Sequence, residues 1–207
     1  MSSSPPSDLT LNYYNETAED YRDRTINLYM DRLYTPFLSR LPPGSHILDV
    51  GCGSGRDAKA FKDRGFVVTA IDGSPEMCRL AGEYLGQRVQ RVGFLEIEWV
   101  RRFDGIWACA SLLHLHPRHL LDALRRLTNA LKRPGVLYAS FKHGETYGMR
   151  EGRWFTDLTE ASLQALIGRT PGLVARELWL TSDLRVGREQ EDWLNIIATQ
   201  DCAPYKP

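Results

Sequence analysis

Residues 47–58 read ILDVGCGSGRDA. An apolar run with the marks of a buried strand leads into Gly51, Gly53 and Gly55, and a helix-forming stretch begins at Arg56. Glycines suit such a turn because they tolerate positive φ and let a ligand approach the backbone closely. The next apolar run, residues 66–71, ends in Asp72, about 20 residues beyond the glycines, where an acidic side chain can hold ribose hydroxyls. Taken alone, G-x-G-x-G leaves a plain tight turn and a ligand loop equally open. With the strand before it and the strand-ending acid after it, it marks a nucleoside cofactor site at the C-terminal edge of a sheet.

Working outward, strand and helix signals alternate. Helices are expected over residues 56–64, 75–85, 117–132 and 159–167. Strands are expected over 45–50, 66–71, 89–92, 103–110, 136–141, 173–180 and 193–199. Pro42-Pro43-Gly44 and Pro134-Gly135 serve as breaks, because proline cannot continue a helix and restricts the residue before it. Near-continuous apolar strands alternating with helices indicate an α/β, Rossmann-like sandwich: a seven-stranded, mostly parallel sheet with helices on both faces. The last two strands have no helix between them, so the final strand is expected to run antiparallel. Residues 12–41 read as one long helix anchored by Tyr13, Tyr14, Tyr21, Leu28, Leu33, Phe37 and Leu41. Residues 1–10 read as a disordered tail, 11–44 as a helical cap over the cofactor, 45–201 as the core and 202–207 as a second tail.

A length of 207 residues fits one such domain. Twenty-six basic and 26 acidic residues cancel, which argues against bulk nucleic-acid binding through a basic surface. Cys52, Cys78, Cys109 and Cys202 are scattered without C-x-x-C or His/Cys ligand spacing, a pattern of reduced thiols with no metal site. No apolar stretch is long enough for a bilayer and the N-terminus has no secretory pattern. A cytoplasmic protein without membrane contact is the expectation.

Dinucleotide-binding loops place a third glycine where this chain has Arg56, and phosphate loops need a G-K-[ST] that is missing here. The whole chain instead resembles the class I S-adenosylmethionine-dependent methyltransferases of the compact, single-domain, small-molecule type. ILDVGCGSG is similar to their first motif and VTAIDGSPEM (residues 68–77) to their second. FDGIWACASLLHL (103–115) resembles their fourth strand, LKRPGVLYASFK (131–142) the turn into their fifth, and NYYNETAEDY (12–21) the segment that folds over the cofactor. The resemblance implies S-adenosylmethionine as cofactor and S-adenosylhomocysteine as product. It further implies that Asp49, Gly51, Cys52, Gly53, Ser54 and Gly55 line the methionine portion and Asp72 binds the ribose. By the same resemblance Gly73, Ser74 and Met77 flank the adenosine, Ala110 and Ser111 border the methyl, and Tyr21 closes over the amino-acid end. Asp57 either reaches the cofactor or complements the helix dipole. The chain departs from the pattern after the third strand, where Val92-Gly93-Phe94-Leu95-Glu96 offers no Asp; adenine contacts are then expected from backbone and Phe94.

Methyl transfer from a sulfonium is an in-line displacement that positioning accelerates, and it needs a base only when the acceptor must lose a proton early. His114 and His116 are the candidate bases because the fourth strand delivers them to the cofactor edge; the alternative is a pair of half-buried helix-entry residues satisfied by backbone. The loops at that edge carry His143, Tyr147, Arg150, Arg153, Trp154, Arg185 and Arg188. Two readings of these arginines stand: a clamp for an anionic small-molecule acceptor, or internal pairing with neighbouring acids. Trp154 is the best candidate for stacking on a planar substrate. An RNA (tRNA-type) methyltransferase is the second functional reading, and a non-catalytic S-adenosylmethionine-binding protein the third. Ala110-Ser111-Leu112-Leu113 stands where amino-methylating nucleic-acid enzymes carry N/D-P-P-[YF], which speaks against adenine N6 or glutamine methylation; a DNA substrate is not expected. The oligomeric state stays open.

Overall fold

The computed structural model describes residues 6–200. Seven strands form one sheet in the order β3-β2-β1-β4-β5-β9-β8: β1 (His46–Val50), β2 (Val67–Asp72), β3 (Gln90–Arg91), β4 (Phe103–Ala108), β5 (Leu131–Lys142), β8 (Leu173–Ser182) and β9 (Asp192–Gln200). The first five pair parallel, and β9 runs antiparallel to both β5 and β8. The Rossmann-like sandwich expected from the sequence is therefore the fold observed.

Period-two alternation along the central strands makes two cores from one sheet. Leu48 and Val50 of β1, Ile106 of β4 and Leu137 and Phe141 of β5 face α6 (Pro117–Ala130) and α7 (Glu160–Gly168). Ile47, Trp107 and Tyr138 face the opposite side, where they meet α3 (Asp31–Leu38), α4 (Arg56–Asp63) and α5 (Pro75–Leu85). On that side the Trp107 and Tyr138 rings stack 3.8 Å apart. Helices begin where their caps dictate: Ser74 accepts from Met77 N ahead of α5, and Thr159 and Ser162 form a reciprocal capping box ahead of α7.

Four expectations need correction. The single helix over residues 12–41 is three: α1 (Pro6–Glu16), α2 (Ala18–Thr25) and α3. Thr17 leaves helical geometry between the first two while its hydroxyl donates back to Tyr13 O, and residues 26–30 form a non-helical bend before α3. One straight helix could not turn Tyr14 and Tyr21 toward the glycine turn and also bury Leu33, Tyr34 and Phe37 against the sheet. Helix α3 packs on the sheet, burying Leu33, Tyr34 and Phe37. Helix α1 starts at Pro6, so the tail expected through residue 10 is helical from that point; residues 1–5 and the tail at 202–207, with Cys202, lie outside the described residues. Helix α6 ends at Ala130 and the chain becomes extended at once, with Leu131 pairing Phe103 well before Pro134. Finally, the stretch expected as loop contains a hairpin, β6 (Tyr147–Arg150) and β7 (Arg153–Thr156). Its two-residue turn is Glu151-Gly152, both at positive φ, the geometry that matches strand twist.

Docking of α3 on the sheet depends on Gly105 in β4. A Cβ there would come within 2.8 Å of both Leu41 Cδ1 and Phe37 Cζ, and Phe37 is fully buried with no room to yield. Gly105→Ala is expected to lower unfolding free energy by roughly 1–3 kcal/mol, read as a shift in the urea midpoint at unchanged slope.

Candidate functional site

At the C-terminal ends of β1 and β4, where crossovers leave the sheet in opposite directions, a cavity of about 1030 Å³ opens. The glycine turn forms its floor. Gly51, Gly53 and Gly55 have φ of 68°, 53° and 85°, and side chains at the first two would fill the space a ligand needs. A Cβ on Gly51 would lie 2.6 Å from Ser111 Cβ, and one on Gly53 would lie 3.3 Å from the Tyr21 ring. Gly55 is different: it is not in the cavity wall, and its hydrogen allows close packing of Ala81 and Leu85.

Asp72 binds the turn to the next helix. One carboxylate oxygen accepts from Gly53 N (2.9 Å) and the other from Ser74 N (2.8 Å). Each oxygen keeps a second lone pair for a hydroxyl in the cavity. Burial raises the Asp72 carboxyl to about 6 despite these donors. Ser74 lies outside the cavity wall, capping α5 and donating to Asn15 Oδ1 (2.6 Å). Asp49 is buried behind the turn with Oδ2 unpartnered, and its carboxyl is pushed well above the usual range by desolvation and by Asp57. Ser111, in the wall, also carries a buried unpartnered oxygen.

Tyr21, Cys52, Ser54, Gly73, Met77, Phe94 and Ala110 all line the cavity. Asp57 reaches its edge, but its carboxylate is saturated. Oδ1 accepts from Tyr34 Oη (2.6 Å) and Arg56 Nε (2.6 Å), and Oδ2 from Arg56 Nη2 (3.0 Å) and Trp107 Nε1 (2.8 Å). No lone pair is left for a ligand, so Asp57 is a structural centre.

The far half of the cavity is walled by the 3-10 turn Leu112–His114, the hairpin and the β8–β9 connection. His114 Nδ1 faces the Trp154 carbonyl at 2.6 Å and must donate to it. Nε2 therefore accepts from Tyr14 Oη (2.7 Å). Burial lowers the imidazole to about 4, so it is neutral near pH 7 with its acceptor nitrogen engaged. His116 is not in the wall: its Nδ1 caps α6, and its ring stacks on Trp154 at 5.1 Å. Trp154 and Tyr147 sit with it on the outer side of the hairpin. The alternation of β7 that puts Arg153 and Phe155 in the cavity wall turns Trp154 away, which overturns its expected stacking role and the role of His116 as base.

The rim arginines divide. Arg150 pairs with Asp157, Arg185 grips Asp183, and Arg188 reaches Glu151 and Glu191. His143 lines the rim beside Glu160 (3.0 Å). Asp183 also accepts from Lys142 and Trp193 Nε1, and these donors hold its carboxyl well below the usual range. Internal pairing thus accounts for most of the positive rim. Sequence reasoning missed Tyr14, Arg56, Asp183 and Glu96 as wall residues. Glu96 folds back to accept from Gly93 N (2.8 Å), bringing an acid to the region after β3 where a linear reading found no Asp. Among the described residues no cluster of His, Cys, Asp or Glu suits a metal ion, and no helix is long and apolar enough to cross a membrane.

Residues 47–135 match the family model described as a methyltransferase domain. An uncharacterized methyltransferase from Staphylococcus carnosus is 32% identical over 135 residues, covering 64% of this chain and 61% of the relative. A ubiquinone biosynthesis O-methyltransferase from Xanthomonas campestris pv. campestris is 35% identical over 105 residues, covering 47% and 43%. The chain thus spans only about half the length of these relatives. A crystal structure of Burkholderia thailandensis 1,6-didemethyltoxoflavin-N1-methyltransferase, with 1,6-didemethyltoxoflavin and S-adenosylhomocysteine bound, shares the fold at TM-score 0.78 and 21% identity, over 97% of this chain and 92% of that one.

The raised Asp72 carboxyl has a measurable sign. Between its ordinary value near 3.8 and about 6, the folded state binds more protons than the unfolded state, so this group's contribution to stability is largest below that window and is lost as pH rises through it. Compared with Asp72→Asn in urea melts between these limits, the wild type is expected to lose stability with rising pH by on the order of 2–3 kcal/mol more than the variant. Residues 47–135 match the methyltransferase-domain model, and the strand order and glycine turn are those of the class I methyltransferase fold seen in the solved structure.

Proposed function

We infer that the protein transfers a methyl group from S-adenosylmethionine to a small-molecule acceptor, leaving S-adenosylhomocysteine. The observation that carries this reading is the single cavity, which runs without interruption from the Gly51–Gly55 turn to the Tyr14–His114 pair. Its volume, about 1030 Å³, lies at the upper end of ordinary ligand pockets and has room for a nucleoside and a second molecule end to end. The domain match and the two methyltransferase relatives support the same reaction.

The residues fit the group. The Ser111 hydroxyl in the cavity wall is buried without a partner, and such a group is costly unless a ligand or water completes it. Asp72 would accept from the ribose hydroxyls, and Phe94 and Glu96 would meet the adenine ring and its amino group. Tyr21, from α2, would close over the amino-acid end above Gly53. When bound, S-adenosylmethionine supplies an electrophilic methyl carbon on a positively charged sulfur. What this chain adds is alignment and exclusion of water: α1 and α2 roof the cavity, and Tyr14, fixed by His114, stands at the junction of the two halves. His114 then acts as a positioning residue whose neutral form holds the Tyr14 hydroxyl.

Paired rim cations favour a small molecule over RNA, because a phosphate backbone needs uncompensated positive charge. Incubation with methyl-labelled S-adenosylmethionine, metabolite extracts and total RNA separates these substrates by where the label appears. Calorimetry on folded protein tests the foundation: uptake of S-adenosylhomocysteine and none of NAD is expected, and failure to bind either S-adenosylmethionine or its product would end this interpretation. Gly51→Ala drives a methyl against Ser111 at a positive-φ site. It is expected to weaken S-adenosylhomocysteine binding roughly tenfold or more, about 1.4 kcal/mol.

A further inference from the structure

Three arginines in the cavity wall can be compared by what their Nε–Nη2 edges meet. Arg56 closes that edge on Asp57, with Nε to Oδ1 at 2.6 Å and Nη2 to Oδ2 at 3.0 Å. Arg185 closes it on Asp183, with Nε to Oδ1 at 2.9 Å and Nη2 to Oδ2 at 2.5 Å. This two-pronged grip is the geometry a guanidinium offers any carboxylate. Arg153 is different. Nη2 reaches one oxygen of Glu151 at 3.1 Å, and Nε, buried, has no partner. Arg153 is 6% exposed, so an orphan N–H there cannot be satisfied by bulk solvent.

Its surroundings restrict how a ligand can approach. The guanidinium lies 4.5 Å from the Tyr13 ring centroid and 5.1 Å from that of Phe155. Aromatic packing of this kind occupies the faces of the cation and leaves its edges for hydrogen bonds. The one carboxylate on the edge is also the easiest to displace: the Glu151 side chain is 64% exposed and is shared with Arg188 at 3.3 Å. Beside Arg153 the wall is aromatic. The rings of Tyr14 and His114 lie 5.4 Å apart, and those of His114 and Phe155 5.1 Å apart.

We propose that Arg153 is the anchor for a carboxylate on a planar, ring-bearing methyl acceptor, which takes both Nε and Nη2 as Glu151 moves aside and lays its ring along Tyr14, His114 and Phe155. This assignment rests on the methyltransferase reading and narrows its substrate class. It keeps one arginine of the four expected as a clamp. Arg150, Arg185 and Arg188 serve instead to fix the acids around it.

Benzoate and its neutral isostere benzamide probe the anchor directly, by calorimetry on protein saturated with S-adenosylhomocysteine. Benzoate is expected to bind and benzamide to bind about tenfold more weakly or worse. Arg153→Met is expected to abolish that preference while binding S-adenosylhomocysteine as the wild type does, and Arg153→Lys to restore part of it. Glu151→Gln, at an exposed position, is expected to tighten benzoate binding by removing the competing carboxylate. Equal affinity for benzoate and benzamide, or no benzoate binding by wild-type protein that holds S-adenosylhomocysteine, overturns the proposal and leaves the methyltransferase reading in place. Loss of S-adenosylhomocysteine binding by the wild type instead defeats that underlying reading.

Discussion

The carboxylate of Asp57 holds the molecule together at its centre. A charge with 7% of its surface exposed is tolerable only when every lone pair is met, and here four donors do so from three directions. Arg56 comes from the same helix turn, Tyr34 from α3 and Trp107 from β4. The first turn of α4 adds its own positive dipole. Arg56 carries the connection further by donating to Thr25 O at the end of α2. The glycine turn, lying between β1 and this saturated acid, inherits a fixed position from both ends. Bringing the arginine alongside its acid is what lets the chain bury Asp57 where relatives of other cofactor classes would place a glycine and a phosphate.

From that centre the cavity divides into halves with different electrostatic logic. Around the glycine turn, acids dominate and lack enough donors: Asp49 has an oxygen with none and Asp72 is desolvated. Of the two, Asp72 faces the cavity and Asp49 lies behind the turn. In the other half, Asp183 and Asp157 are bound by Lys142, Arg185 and Arg150. Their role is to keep long side chains still, since a planar fork on a carboxylate loses its rotational freedom once. Helix α1 spans the two halves. Leu11 lies over Gly73, where a Cβ would come within 2.9 Å, and Thr10 accepts from Trp154 N on the hairpin. The N-terminal helix thus touches both halves of the cavity, and Tyr14 is the residue it places between them.

Helix α5 and the ends of β1, β4 and β9 were readable from the linear chain to within a residue or two, because each depends on local features: a cap at Ser74, glycines after Val50, an apolar run with period two. The same is true of the turn and of Asp72, whose places follow from a short strand–turn–helix unit. The hairpin was not readable. Tyr147 to Thr156 lacks apolar alternation, and Glu151 adopts positive φ without being glycine or asparagine. The break between α1 and α3 was hidden for a related reason: tyrosines and leucines kept helical spacing across a segment whose direction is set by packing on Met77, Leu80 and the sheet.

By itself, then, the order of residues determined the parallel sheet, the site at its C-terminal edge and the nucleoside character of that site, since backbone conformation and side-chain period are properties of neighbours in the chain. Only the tertiary structure decided which charges are spent. Arg150, Arg153, Arg185 and Arg188 are indistinguishable as letters in two loops; folding pairs all four with acids but leaves one N–H of Arg153 without an acceptor. The same folding turned Asp57 from a ligand contact into a structural centre and moved Trp154 and His116 outside. Electrostatic partnership depends on distances of a few ångströms between segments far apart in the chain, and no local pattern encodes those distances.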